Sequence, residues 1–219
     1  MNRTRRILPL AFAGSLLAAA PALAHPHVFV DAKAEVVFDG SGAITAIRHI
    51  WQFDEGFTSY ATLNLDANND GALSEAELEP LAKTNMDALA EYDFFTYLLA
   101  GDTEVEFKKP EEYWLTFHDS RLTLFYTLPL ASPLPAKGEV TLEIGDPEYF
   151  VAMNFIKDSE VRLEGAPAAC AAAYRPPQEL DARTMAILGS IPADARDLPP
   201  ELAQAASVLT SVISIKCPQ

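Results

Sequence analysis

The chain predicts an α+β fold: an antiparallel β-sheet or sandwich, interrupted by one helical EF-hand insertion and closed by a disulfide-tied C-terminal arm. Three observations lead there. Val28, Val30, Ala32, Ala34 and Val36 alternate with polar residues as a half-buried strand does. Residues 54–100 switch to apolar residues every three or four positions around a loop running from Asp66 to Glu77. Two cysteines, Cys170 and Cys217, fall within an Ala- and Pro-rich C-terminal stretch.

At the start of the chain, Arg3, Arg5 and Arg6 precede an apolar run from Ile7 to Ala20 and the small-residue site Ala22-Leu23-Ala24. Residues 1–24 are therefore expected to be a secretory signal peptide. The run is short of the roughly 20 residues a spanning helix needs, which argues against a membrane anchor. Cleavage would leave 13 basic against 31 acidic residues, a formal charge of −18 where the full chain carries −15. Such a charge disfavours nucleic acid and anionic membrane surfaces and favours cation capture.

Residues 25–165 are then expected to form the β-rich core and residues 166–219 the arm. The first strand holds Val28, Val30, Ala32, Ala34 and Val36 on one face and His25, His27, Asp31, Lys33 and Glu35 on the other. Asp39-Gly40-Ser41-Gly42 reads as a turn, and Ala43 to Phe53 as an antiparallel return strand carrying His49. Asp54 and Glu55 follow, either favouring a helix N-terminus or lending ligands beside His49.

Within the insertion, counting Asp66 as the first position of a twelve-residue loop puts Asn68 third, Asp70 fifth, Gly71 sixth, Ala72 seventh, Ser74 ninth and Glu77 twelfth. This is the calcium pattern of an EF-hand. Calcium takes six to eight oxygens, so Asp66, Asn68 and Asp70 offer side-chain oxygens, Ala72 its carbonyl, Ser74 a hydroxyl or bridging water, and Glu77 two carboxylate oxygens. Ser74 and Glu77 also form a capping box that starts the following helix. Phe57, Ala61 and Leu65 suggest a helix running into the loop, and Leu78, Leu81, Met86 and Leu89 one running out of it. Pro80 predicts a kink or restart in the latter. With three ligating carboxylates and no second loop of this pattern, the expected affinity is weak, on the order of 0.1 to 1 mM, as suits a structural ion.

Beyond Gly101-Asp102, strands are expected at Thr103 to Lys108, Tyr113 to His118, Arg121 to Leu128, Glu139 to Ile144, Phe150 to Ile156 and Glu160 to Leu163, with His118-Asp119-Ser120-Arg121 as a hairpin tip. Asp146-Pro147-Glu148-Tyr149 reads as a turn or as the acidic rim of a site. Short helical patterns lie around Glu179 to Leu188 and Glu201 to Leu209. In an exported chain the even cysteine count argues for one disulfide between Cys170 and Cys217, two free thiols or a soft-metal pair being the alternatives.

An exported chain beginning at His25 invites a transition-metal site. Its α-amino group and imidazole would chelate one ion, with His27, His49 or His118 adding a nitrogen, a donor set that suits nickel, cobalt, copper or zinc. Pro26 lacks the amide that a square-planar amino-terminal site ionises. Solvated strand histidines, and a core histidine at position 49 among Ile47, Trp51 and Phe53, are the plainer alternatives. No Gly-rich phosphate loop, nucleophile elbow or HExxH helix is present, and no enzyme is expected.

The stretches His25 to Ala32, His49 to Glu55, Asp66 to Glu77, Glu91 to Tyr97, Leu122 to Leu124 and Asp146 to Phe150 together resemble a domain-of-unknown-function family of exported bacterial proteins. That family is labelled as the periplasmic component of an uncharacterised ABC-type transport system, and its members are similar to proteins found beside nickel/cobalt permeases. The resemblance spans essentially the whole mature chain. It implies a periplasmic metal-binding accessory protein, working with a metal-ion permease or other transport component of the inner membrane and not itself inserted in the bilayer. A calcium-stabilised interaction module without transition metal, or a copper-dependent redox enzyme using the amino-terminal histidine, are the competing expectations.

Overall fold

The computed structural model describes residues 26–155, 161–191 and 198–218. The expected signal peptide and His25 lie outside them. The chain opens with β1 (Val28–Phe38) and β2 (Ala43–Phe53), paired antiparallel with Ala34 opposite His49 and Ala32 opposite Trp51. Asp39 makes their turn by accepting the N–H groups of Ser41 and Ala43, and Gly42 supplies the left-handed φ the turn needs. Even-numbered residues of β1 from Val28 to Phe38 are buried, as their alternation requires.

Helix α1 (Glu55–Ala61) and helix α2 (Glu75–Leu89) flank the 66–77 loop. Asp54 caps α1, accepting from Phe57 N, and Ser74 and Glu77 form the expected capping box on α2. The expectation of a helix reaching Leu65 is corrected: α1 ends at Ala61, and Asn64 turns left-handed before the loop begins. The expected restart at Pro80 is also absent. Pro80 and Ala76 are both exposed, so water can serve the carbonyl whose helical partner the proline removes, and α2 runs through unbroken. Leu78, Ala82 and Met86 bury its inner face against β5 (Tyr113–His118) and the core.

A 3-10 segment from Ala90 to Phe95 then leads into β3 (Thr96–Ala100), β4 (Thr103–Glu104), β5 and the long β6 (Arg121–Pro135), followed by β7 (Gly138–Ile144), β8 (Val151–Asn154) and β9 (Val161–Glu164). The β5–β6 turn places Asp119 and Ser120 at positive φ, the geometry of a tight hairpin. The C-terminal part holds β10 (Ala171–Arg175), α3 (Ala182–Leu188), α4 (Pro200–Ala206) and β11 (Ser211–Cys217).

These strands make two sheets around one hydrophobic core. One has the order β5-β6-β2-β1-β8, with β9 also on β1, and the other β10-β11-β7-β3-β4. Pairing is antiparallel except that β8 and β9 run parallel to β1 along the same edge. The C-terminal segment is more than a docked arm: β11 lies between β10 and β7, and its Ser211, Ile213 and Ile215 are buried. Likewise the last residues of the expected insertion form β3, a strand of this second sheet. Cys170 and Cys217 are bonded across 47 residues of sequence. Reducing that bond should lower the unfolding free energy by about 4 kcal/mol, the loop-closure entropy of a ring this size. Urea denaturation with and without reductant measures it, and a loss under about 1 kcal/mol would show that β11 holds the sheet unaided.

Candidate functional site

The 66–77 loop is shaped by hydrogen bonds from its own backbone to the side chains proposed as ligands. Asp66 Oδ2 accepts from Gly71 N at 2.9 Å and Oδ1 from Asp70 N at 3.2 Å. Asn68 Oδ1 also accepts from Asp70 N, and Asp70 Oδ1 accepts from Ala72 N at 2.8 Å. Asn69 and Gly71 take positive φ, and space around Gly71 is open, so the glycine is required for its backbone angle alone.

Glu77 closes the ring. Its Oε1 accepts from Ala67 N at 2.9 Å and its Oε2 from Ser74 N and Ser74 Oγ, so one carboxylate joins the loop's first turn to the start of α2. The Ser74 hydroxyl, the Ser74 N–H and the Ala67 N–H hold it below the usual glutamate range. Side chains from positions 66, 68, 70 and 77 are thus turned back onto one loop. Asp66 and Glu77 are half-buried, the rest exposed. As the side chains stand, no three His, Cys, Asp or Glu among the described residues form a group that could hold a metal ion.

The histidines are dispersed. His27 sits exposed just before β1, donating its N–H to the Phe150 carbonyl at 2.9 Å, with its ring 4.8 Å from that of Phe150. His49 pairs with Ala34, seven residues from His27 along the strand direction, or about 23 Å, and it faces the opposite side of the sheet. His27 and His49 therefore cannot share an ion. His118 is exposed at the β5–β6 turn beside Asp119, at 3.3 Å.

His49 is a core residue. It is 1% exposed, its Nε2 lies 3.2 Å from Thr96 Oγ1, its ring stacks on Tyr126 and meets Trp51 edge-on. Burial pushes its pKa down to about 3. Asp54 is taken up by the backbone instead of by a metal beside His49. It accepts from Phe29 N at 2.8 Å and Phe57 N at 2.9 Å; burial opposes its ionisation, but these N–H groups hold its pKa low. Asp146 makes a turn, accepting from Glu148 N and Val151 N, and is itself buried.

One feature escaped the sequence reading. Asp93, Phe94 and Phe95 are successive left-handed residues, a strained arrangement of order 1 kcal/mol or more each. The turn drives Phe94 and Phe95 inward, and the Phe94 carbonyl accepts from Thr96 Oγ1 and Tyr126 Oη. No composition signal marks it. The inward placement of His49 is the plainer of the two expectations for it, since Ile47, His49, Trp51 and Phe53 share a strand parity.

A family model described as "Protein of unknown function (DUF1007)" matches residues 10–217. An "Uncharacterized protein" of Haemophilus influenzae is 26% identical over 151 residues, covering 68% of this chain and 71% of its own length. An "Uncharacterized 15.5 kDa protein in trpE 3'region" of Spirochaeta aurantia is 31% identical over 99 residues, covering 45% of this chain and 71% of its own length.

The buried His49 yields an acid-stability test. Only its neutral form is accommodated, so the stability tied to it is present above about pH 6.5 and is lost by about 1.4 kcal/mol per unit as the pH falls toward 3. His49→Phe keeps the ring and removes the titration. From pH 7 to pH 5 it should lose about 2 kcal/mol less than wild type in urea unfolding. Parallel profiles would mean that His49 carries its proton in the folded state.

Proposed function

We propose that this chain, which belongs to the family of proteins of unknown function DUF1007, is a periplasmic metal-binding accessory protein. It serves transport of a divalent transition metal of the nickel/cobalt type and carries a structural calcium ion in an EF-hand-like loop. The observation that carries the calcium part is the arrangement of Asp66 and Glu77, the loop's first and twelfth residues, whose carboxylates are both drawn onto loop N–H groups. A calcium ion would take oxygens of Asp66, Asn68, Asp70 and Glu77, with the Ala72 carbonyl and Ser74 completing the shell.

The transition metal is assigned to the start of β1, where His25 and the exposed His27 would supply nitrogen donors, nickel, cobalt, copper and zinc being the candidates. His49 stays outside this set because of its burial on the other face. Export is supported by the disulfide, which persists in oxidising compartments, and by the sequence of residues 1–24. The partner in this reading is a metal-ion permease of the inner membrane; among the described residues of this chain no helix is long and apolar enough to cross a membrane. The separation of His27 from His49 favours one second reading: a calcium-stabilised interaction module with no transition metal.

Calorimetry separates the two, using protein purified from the periplasm after its own processing and stripped of metal. Calcium should bind with a dissociation constant on the order of 0.1 to 1 mM, and 10 mM calcium should raise the unfolding free energy by about 1 to 3 kcal/mol. Glu77→Gln should abolish both effects. One of nickel, cobalt, copper or zinc should bind at micromolar affinity or better, and His25→Ala with His27→Ala should remove only that. Calcium binding alone would leave the interaction module; no binding at all would overturn both readings.

A further inference from the structure

Between the open end of the β1–β2 pair, the last turns of α2 and the 146–153 segment lies a cavity of about 200 Å³. Its walls are mainly apolar, with Trp51, Phe53, Tyr92 and Phe95 among them, and the exposed Ala88 and Phe150 mark its mouth. The charged side chains in its lining are Asp146 and Glu148, and no Lys, Arg or His joins them. Asp146 is 6% exposed and accepts from the N–H groups of Glu148 and Val151, which fixes the turn that carries Glu148. A cleft whose charges are all of one sign draws the opposite ion, here a cation.

The chain enters β1 across this mouth. The Phe150 carbonyl accepts from His27 N at 2.9 Å and from Val28 N at 3.3 Å, and Val28 pairs with Val151 where β1 and β8 begin to run parallel. Pro26 precedes the strand yet is half-buried. Extended chain covers at most about 3.6 Å per residue, so the nitrogen of His25 cannot be more than about 7 Å from that of His27. Glu148 is itself two residues from Phe150. Cleavage after Ala24 would turn the neutral peptide nitrogen of His25 into an ammonium. Tethered by two residues, that ammonium has an effective concentration on the order of mM or more, which an outside amine would have to exceed.

We propose that the amino terminus created by cleavage before His25 docks at the mouth of this cavity, its ammonium paired with the Glu148 carboxylate. The pairing rests on the export reading, because only processing makes that ammonium, and it requires no metal. An uncleaved chain carries a neutral peptide at the same point, so the docked terminus belongs to the mature protein alone.

The test uses protein purified from the periplasm and stripped of metal. Intact mass first shows where the exported chain begins, and a first residue other than His25 overturns the proposal. The titratable groups that meet at the mouth are Asp146, Glu148 and Tyr92 from the lining and His27 on the chain itself. His27→Ala therefore removes the neighbouring imidazole before the α-amino pKa is read, by ¹³C NMR of the reductively ¹³C-methylated terminus. An α-amino group ordinarily titrates at about 7.7–8.0, and an opposite charge within about 4–6 Å raises it. The folded protein should titrate about one unit above the same chain in urea, a tenfold gain in proton affinity. Glu148→Gln should remove that shift, and a chain retaining Leu23 and Ala24, whose ammonium is two residues away, should lose most of it. If the folded and urea values coincide, or the shift survives Glu148→Gln, the proposal is wrong. Benzylammonium binding to the chain that starts at His25, with an unshifted terminus, would place an outside amine in the mouth instead. The comparison of the two chain starts decides the matter even if Glu148→Gln fails to fold.

Discussion

The register of β1 against β2 is the constraint on which the rest of the molecule depends. It sets Ala32 opposite Trp51 and Ala34 opposite His49, two small residues facing two large rings. On the other side of β2, Leu124 and Tyr126 of β6 pair with the same two residues. The rings lean into the room the alanines leave, and His49, Trp51 and Tyr126 pack as one aromatic group. A shift of one residue would turn the whole set to solvent, since strand parity is two. Offset and edge-on ring pairs add about 0.5–1.5 kcal/mol each beyond area burial, which helps hold that register.

From this centre the end of the sheet where β1 starts and β2 finishes is secured by polar groups. Asp54 accepts from Phe29 N and from the first turn of α1, so the strand end and the helix start share one carboxylate. Arg121, at the start of β6, donates to the Phe53 carbonyl at 2.7 Å and to Asp31 at 2.8 Å, bridging three strands. The second sheet joins through the left-handed turn at Asp93–Phe95, whose Phe95 carbonyl accepts from Gly145 N. A turn of this kind persists only where its surroundings over-determine it. Thr96, which bonds both the Phe94 carbonyl and His49, supplies that link between the sheets.

How much of this the sequence disclosed follows from where the information is local. The alternation of β1, the tight turn at Asp119-Ser120 and the Ser74–Glu77 capping box each depend on a few neighbouring residues, and all three are present. The parallel placement of β8 and β9 depends on partners more than a hundred residues away, and no short pattern encodes it. β11 was legible in principle, because Ser211 to Cys217 alternates weakly, but the Ala- and Pro-rich stretch before it masked the signal. Of the histidines, the even spacing from Ile47 to Phe53 already pointed His49 inward. Its place on the antiparallel return strand is what made it a candidate partner for His27.

The loop and the cavity meet in α2. Glu77 is at once the last oxygen donor of the loop pattern and the third residue of the helix, and Asn85 and Leu89, two and three turns on, line the cavity. Between them Leu78, Ala82 and Met86 are sealed into the core at 2% exposure or less. An ion taking both Glu77 oxygens would compete with Ser74 and Ala67 for them, and so would act on one half of the capping box at the start of α2. The solvent-exposed loop and the apolar cavity lined by Asn85 and Leu89 lie at the two ends of this helix. Along that element the sequence is acidic where it starts, apolar where it is buried and aromatic where it turns into β3.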